Sequence, residues 1–275
     1  MTTLKHKHAS GIKKRVIILG AGYGGIFAAA NLCKKELFDV TIIDRNSYHQ
    51  LLQQIHHLLS GSKKAEDVTT AVEDLFNDQS GGISIIKEAL EGIDLGVKSV
   101  NIQKDGGADA LSYDYVIIAL GAETQYFGVD GAQQHCLPFR SVQDALKIME
   151  IVERLSAGSS VVIAGGGQTG VNLAAALFEL PAVKNNKIRI TTVDAADGLL
   201  PGWDERLSAT SQAALVARGI KIVTGKRIVK VNHDSVGADS CEKLRSDCTI
   251  WTAGVKGRSI KTVPEVDKRP SQAEY

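Results

Sequence analysis

Hydrophobic and polar residues along this chain change tempo at two places in the same way. At residues 15–19 "RVIIL" is an unbroken apolar, β-branched run, the pattern of a strand buried on both faces of a parallel sheet. It breaks into glycines and resumes as "IFAAANL", a run of small residues that predicts a helix able to pack tightly on that strand. Residues 161–177, "VVIAGGGQTGVNLAAAL", repeat the arrangement. Val16 matches Val161, Ile18 matches Ile163 and Leu32 matches Leu177, an offset of 145 residues. Further strands are predicted in "DVTIID" and "IRITTVD", in "GISIIKEALEGID", "KSVNIQ" and "YDYVIIAL", and in "GIKIVTGKRIVKV" and "CTIWTAGVKG", each punctuated by glycine.

Gly20, Gly22 and Gly25 fill a G-x-G-x-x-G frame between the first strand and helix, and Gly165, Gly167 and Gly170 fill it again. The first glycine permits the tight turn, the second lets a pyrophosphate approach the backbone, and the third lets helix and strand come close. The anion then rests on the helix N-terminus, where unpaired N–H groups and the positive dipole end favour it. Asp44 and Asp194 close the strands that follow, at the place where a carboxylate accepts hydrogen bonds from a ribose. The second acid comes five residues later than the offset predicts, an excess assigned to the loop "LPAVKNNK". An acid here favours the free 2′-hydroxyl of NAD, and "DAADG" has no arginine for the 2′-phosphate of NADP. The fold class is α/β with two Rossmann-like dinucleotide-binding domains, and NADH is the expected ligand of the second.

Composition changes this picture little. The 275 residues, 44% hydrophobic and 23% charged, suffice for two domains with cores, and the net charge of +1 gives no reason to expect nucleic acid. The basic stretch "MTTLKHKHASGIKKR" reads as a solvated tail. No apolar run has the length of a membrane span and no signal peptide is legible, so a cytoplasmic protein is expected. Cys33, Cys136, Cys241 and Cys248 lack zinc or redox spacing and read as reduced, mostly buried thiols. His49, His56 and His57 stand at helical spacing without the carboxylate or thiolate that would complete a metal set, and no metal is expected.

Residues 14 to about 257 resemble the two-dinucleotide-binding-domain flavoproteins, the pyridine nucleotide-disulfide oxidoreductase superfamily, and within it the type II, non-proton-pumping NADH:quinone oxidoreductases. "VTIIDRNSYHQLLQQIHHLLSG" resembles the family's second strand and the segment beneath the flavin, "LPFRSVQDALKI" its hinge, "GLLPGWDERLSATSQAALVARGIKIVTG" its strand-helix-strand crossover, and "IWTAGV" its closing strand. The resemblance implies an FAD domain over residues 14–140 and an NAD domain over 141–257. It assigns Gly20, Ala21, Gly22, Gly25 and Asp44 to FAD, with the backbone near Leu90 facing the adenine and Ala119 and Gly121 near the adenosine and pyrophosphate. It assigns Gly165, Gly167, Gly170, Asp194 and Gly254 to NADH. It also implies hydride transfer from nicotinamide C4 to flavin N5, a quinone or other small acceptor, peripheral contact with the cytoplasmic face of a membrane, and a homodimer.

Two departures qualify those expectations. Where the family writes G-V-E, this chain has Gly170-Val171-Asn172, and Asn172 can hold a hydrogen bond but cannot titrate. After "IWTAGVKG" the chain runs only through a short return segment, 258–275, so the family's C-terminal third is missing. The FAD domain is therefore expected to be incomplete at its C-terminal part, to leave an apolar flank uncovered and to hold FAD weakly, while the NAD domain should fold better. A sulfide:quinone oxidoreductase-like flavoprotein, with Cys136 beside the flavin, and a catalytically incomplete nucleotide-binding remnant stay open as alternatives.

Overall fold

The computed structural model describes residues 13–35, 37–77, 83–104, 107–239 and 243–265; most of the basic tail, Cys241 and the last residues of the return segment lie outside them. The chain divides into two compact units, one drawn from residues 1–49, 70–121 and 257–275, the other from 50–69 and 122–256.

In the first unit β1 (Lys14–Leu19) leads through the glycine turn into α1 (Tyr23–Leu32) and β2 (Phe38–Ile43). β3 (Ile83–Ile86), β4 (Ala89–Asp94), β5 (Ser99–Lys104), β6 (Gly107–Ser112) and β7 (Tyr115–Ile118) follow. β3, β2, β1 and β7 form one parallel sheet in that order. Side chains alternate along β1: Val16 and Ile18 pack with Ala29 of α1 on one face. Ile17 and Leu19 pack on the other against Ile93, Val100 and Ile102 of the antiparallel β4-β5-β6 sheet. From Val16 to Leu19 the strand is covered on both faces and has no polar position to offer, which is why "VIIL" reads as a continuous apolar run, while Lys14 and Arg15 before it are exposed.

The second unit repeats the plan. β8 (Cys136–Pro138) and α2 (Val142–Glu153) precede β9 (Ser160–Ala164), α3 (Gln168–Glu179), β10 (Arg189–Val193), α4 (Glu205–Ala217) and β11 (Lys221–Val223). An antiparallel trio follows, β12 (Ile228–Val231), β13 (Ser235–Ala238) and β14 (Lys243–Arg245), and β15 (Cys248–Trp251) returns to the main sheet. That sheet is parallel in the order β8-β15-β9-β10-β11. Val161 and Ile163 of β9 face the helices, packing with Leu173 and Leu177 of α3 and Ile148 of α2. Val162 and Ala164 face the trio, packing with Val231 and Val236. The five extra residues before Asp194 are a short helix, Pro181–Asn185.

The boundary drawn from the sequence at residue 140 differs from the structural division. Residues 50–69 and 122–140, assigned above to the first domain, cluster with the second unit. Ile55, Leu58, Leu59, Val68 and Phe139 are buried in the core of the second unit, and Cys136–Pro138 adds a strand to its sheet beside β15. The strand "IWTAGV" remains in the second unit, and the chain re-enters the first at 257, where Thr262–Val263 pairs with β4.

Each main sheet and the helix that follows its glycine turn, α1 after β1 and α3 after β9, meet at a glycine. A Cβ on Gly25 would fall against the carbonyl oxygen of Gly20, and one on Gly170 against the carbonyl oxygen of Gly165 as well as 3.0 Å from Thr252 Oγ1. Backbone cannot yield as a side-chain tip can, so Gly170→Ala must push α3 off its sheet. We expect it to lower the unfolding free energy by about 3 kcal/mol, the upper end for overpacking. Denaturant unfolding of the two proteins checks this; an unchanged midpoint would contradict the close approach.

Candidate dinucleotide sites

The turn between β1 and α1 is set from three sides. Gly20 has φ +105°, and a Cβ there would run into the Ala119 carbonyl at the end of β7, so two constraints require glycine. Its N–H donates to the Ile43 carbonyl at 2.8 Å, and the Ala119 N–H donates to the Leu19 carbonyl at 2.9 Å. Asp44, just past β2, braces the turn: Oδ2 accepts from the Ala21 N–H at 2.8 Å and Oδ1 from the Asn46 N–H at 2.8 Å. The Asp44 N–H donates to Ile86 at the end of β3, so the acid is fixed in backbone and side chain alike.

The turn between β9 and α3 has the same parts. Gly165 has φ +111°, a Cβ on it would lie 2.8 Å from the Ala253 backbone, and its N–H donates to Val193 at 2.8 Å. Asp194 Oδ2 accepts from the Gly166 N–H at 2.5 Å and Oδ1 from the Ala196 N–H at 2.7 Å. Thr252 binds β9 twice, its N–H and its hydroxyl both donating to the Ala164 carbonyl at 2.7 and 2.9 Å. In both turns each carboxylate oxygen takes one backbone N–H. An ionised carboxylate has about four acceptor positions, so each oxygen keeps capacity for a ligand hydroxyl.

The second glycines differ from their neighbours. Gly22 has φ −75° and ψ −176°, Gly167 has φ −69° and ψ −178°, an extended backbone open to any residue. A Cβ on either would meet nothing within 4 Å. Among the described residues neither conformation nor packing accounts for glycine at these two positions. Each is the N-cap of its helix, and the space a side chain would fill is the space an anion needs to reach the helix N-terminus. The turns therefore fit a dinucleotide pyrophosphate.

Other candidate residues fall into place unevenly. Gly121 has φ +72° with open space about its Cβ position, and follows Ala119 at the rim of the first turn. Leu90 lies on β4 with its side chain partly buried in the first unit's core. Gly254 has a partner inside the chain: a Cβ there would meet the ring of Phe127, which is itself 62% exposed. Asn172 is half-buried in the second turn of α3. Sequence reasoning missed Thr252, Phe127 and two donors that hold the turns from below, the His49 imidazole to the Ala21 carbonyl at 3.0 Å and the Leu200 N–H to the Gly166 carbonyl at 2.8 Å. None has a local sequence signal, because each contact joins residues remote along the chain.

Cys33, Cys136 and Cys248, the described cysteines, are buried. Burial, and secondarily the neighbouring Cys248, push the Cys136 thiol up to about 12, and burial alone puts Cys248 at about 12. Both are protonated and unreactive at neutral pH.

Residues 14–265 match the family model described as pyridine nucleotide-disulphide oxidoreductase. Among similar proteins are the type II NADH:quinone oxidoreductases of Staphylococcus haemolyticus, 27% identical over 273 residues, and of Staphylococcus aureus, 26% identical over 272. Each alignment covers 90% of this chain and 66% of the relative, so the chain spans 66% of these relatives' length. In fold it is similar to the structure of NDH2 from Plasmodium falciparum in complex with NADH, with TM-score 0.79, 24% identity, and coverage of 90% of this chain and 56% of that one. The sulfide:quinone oxidoreductase of Aquifex aeolicus gives TM-score 0.72, 21% identity and coverage of 89% and 59%.

The buried thiols supply a test of the second unit. A cysteine in an unfolded chain is partly thiolate at pH 8, whereas a thiol titrating near 12 stays protonated until the pH approaches that value. At pH 8 we expect iodoacetamide to leave Cys136 and Cys248 unmodified in the folded protein and to modify both after denaturation, as read by peptide mass spectrometry. Native modification at the denatured rate would contradict the burial.

Proposed function

We propose that this chain, which belongs to the pyridine nucleotide-disulphide oxidoreductase family, holds FAD on its first unit and NADH on its second and passes electrons to a quinone-type acceptor. The observation that carries the proposal is the pair of second glycines, Gly22 and Gly167, each an N-cap kept open to solvent beside a braced aspartate. Two such turns in one chain call for two dinucleotides, and the NADH:quinone oxidoreductases among its relatives supply the electron donor and acceptor by similarity. When bound, the two cofactors would supply hydride transfer from nicotinamide to flavin, the chemistry being theirs rather than that of a catalytic side chain.

The chain's own residues bind and orient. Gly22 and Gly25 with the α1 N-terminus, and Gly121 at the rim, would hold the flavin pyrophosphate, and the spare capacity of Asp44 would take the adenosine ribose. Gly167 and Gly170 with the α3 N-terminus would do the same for NADH, Asp194 accepting from its 2′-hydroxyl and repelling a 2′-phosphate. Asn172 would hold a hydrogen bond without moving a proton, so a proton for the acceptor comes from another group. A quinone dissolved in a membrane implies contact with its surface, and among the described residues no helix is long and apolar enough to cross one. The sulfide-oxidising reading would need a reactive cysteine, and Cys136 is a buried, protonated thiol.

The test is spectroscopic. We expect the purified chain, supplied with excess FAD, to take up one flavin that NADH bleaches anaerobically and sulfide does not, with NADPH markedly weaker. Asp194→Ala should cut the NADH-over-NADPH preference about tenfold, the worth of one hydrogen bond to a charged group. The ratio is the readout because Asp194 also braces the turn. Flavin uptake without bleaching by NADH, or equal use of both nucleotides, would overturn the proposal.

A further inference from the structure

We propose that His49 is a positioning residue for the pyrophosphate of the dinucleotide on the first unit, holding the Ala21–Gly22 peptide so that the Gly22 N–H is aimed at the phosphate. The inference rests on the reading that this unit holds FAD.

His49 is buried, and its Nδ1 lies 3.0 Å from the Ala21 carbonyl oxygen. A carbonyl oxygen only accepts, so Nδ1 carries the hydrogen. The Tyr23 ring stands edge-on to the imidazole, centroids 4.6 Å apart at 88°, and limits its rotation. The Ala21 carbonyl and the Gly22 N–H belong to one planar trans peptide and point in opposite directions. Holding the oxygen inward therefore turns the N–H outward. A hydrogen bond on the carbonyl also polarises the peptide and makes that N–H a stronger donor. On its other side Ala21 is held by its own N–H, which donates to Asp44 Oδ2 at 2.8 Å. Both peptides flanking one residue of the turn are thus pinned, while the space about Gly22 is left open.

The second turn carries the argument beyond local packing. Gly166 occupies the place of Ala21 at the offset of 145 residues, and it is pinned at the same two atoms. Its N–H donates to Asp194 Oδ2, and its carbonyl accepts at 2.8 Å from the Leu200 backbone N–H. One turn recruits an imidazole from the short strand Tyr48–Gln50, the other an amide from a loop. Two unrelated donors arriving at the same carbonyl point to a need the turns share, and each carbonyl lies on the peptide whose N–H belongs to the open glycine of the anion site.

FAD titration of the full chain decides the matter, comparing wild type with His49→Ala, His49→Asn and His49→Gln. Asparagine can place an N–H where Nδ1–H stands; glutamine places its amide farther out, at the position of Nε2. We expect His49→Ala to bind FAD about tenfold more weakly and His49→Asn to stay within about threefold of wild type. NADH affinity on the second unit should be unchanged in every variant. Equal FAD affinity in wild type and His49→Ala would overturn the inference and leave the FAD reading standing, and so would equal losses in the alanine and asparagine variants, which would assign the ring to packing alone. A wild-type chain that takes up no FAD would overturn the reading and the inference together. Should His49→Ala fail to fold, the asparagine and glutamine variants decide: asparagine binding about tenfold tighter than glutamine supports the role, and equal affinities overturn it.

Discussion

Each unit depends on a contact between two pieces of backbone. The helix after the glycine turn lies so close to its sheet that one glycine carbonyl occupies the place of another glycine's side chain, Gly20 against Gly25 and Gly165 against Gly170. Hydrophobic burial drives the layers together, yet burial alone is tolerant of small displacements. Backbone contact is not. It sets the height of the helix N-terminus over the sheet, and with it the place where an anion meets unpaired N–H groups.

From this approach follows a division of labour among the glycines. The first of each trio is required by a positive φ and by a strand end pressed against it, the third by the helix contact, and both requirements lie inside the protein. The second has no such requirement. Each aspartate spends one acceptor position per oxygen on bracing its turn and keeps capacity on both oxygens. The hydrogen bonds that hold each turn are made within the chain, and a turn already held lowers the ordering cost of binding.

Much of this was legible in the sequence because its cause is local. Strands covered on both faces read as apolar runs, and the two turns announced themselves through glycine spacing and the shared offset. Both aspartates stand where the strand lengths placed them. The partition of the chain between units was less legible. "QLLQQIHHLL" and "LPF" carry apolar residues that would suit either core, and only the folded contacts send Ile55, Leu58, Leu59 and Phe139 to the second. β6, "GADALS", has exposed or half-buried side chains at every position and so no periodicity to read. The two donors beneath the turns were invisible for a different reason, being a histidine 28 residues from its acceptor and a main-chain amide that no residue type encodes.

The central claim is that Gly22 and Gly167 are glycine for the sake of a ligand and not of the fold. It is tested most directly by measuring, on Gly22→Ala and Gly167→Ala, both unfolding free energy without nucleotide and affinity for FAD and NADH. We expect stabilities within about 1 kcal/mol of wild type, because alanine fits the backbone and the space while a weaker N-cap offsets its smaller unfolded-state entropy. We expect lost FAD binding in the first variant alone and lost NADH binding in the second alone. Variants that lose several kcal/mol of stability, or that bind both nucleotides as wild type does, would contradict the claim.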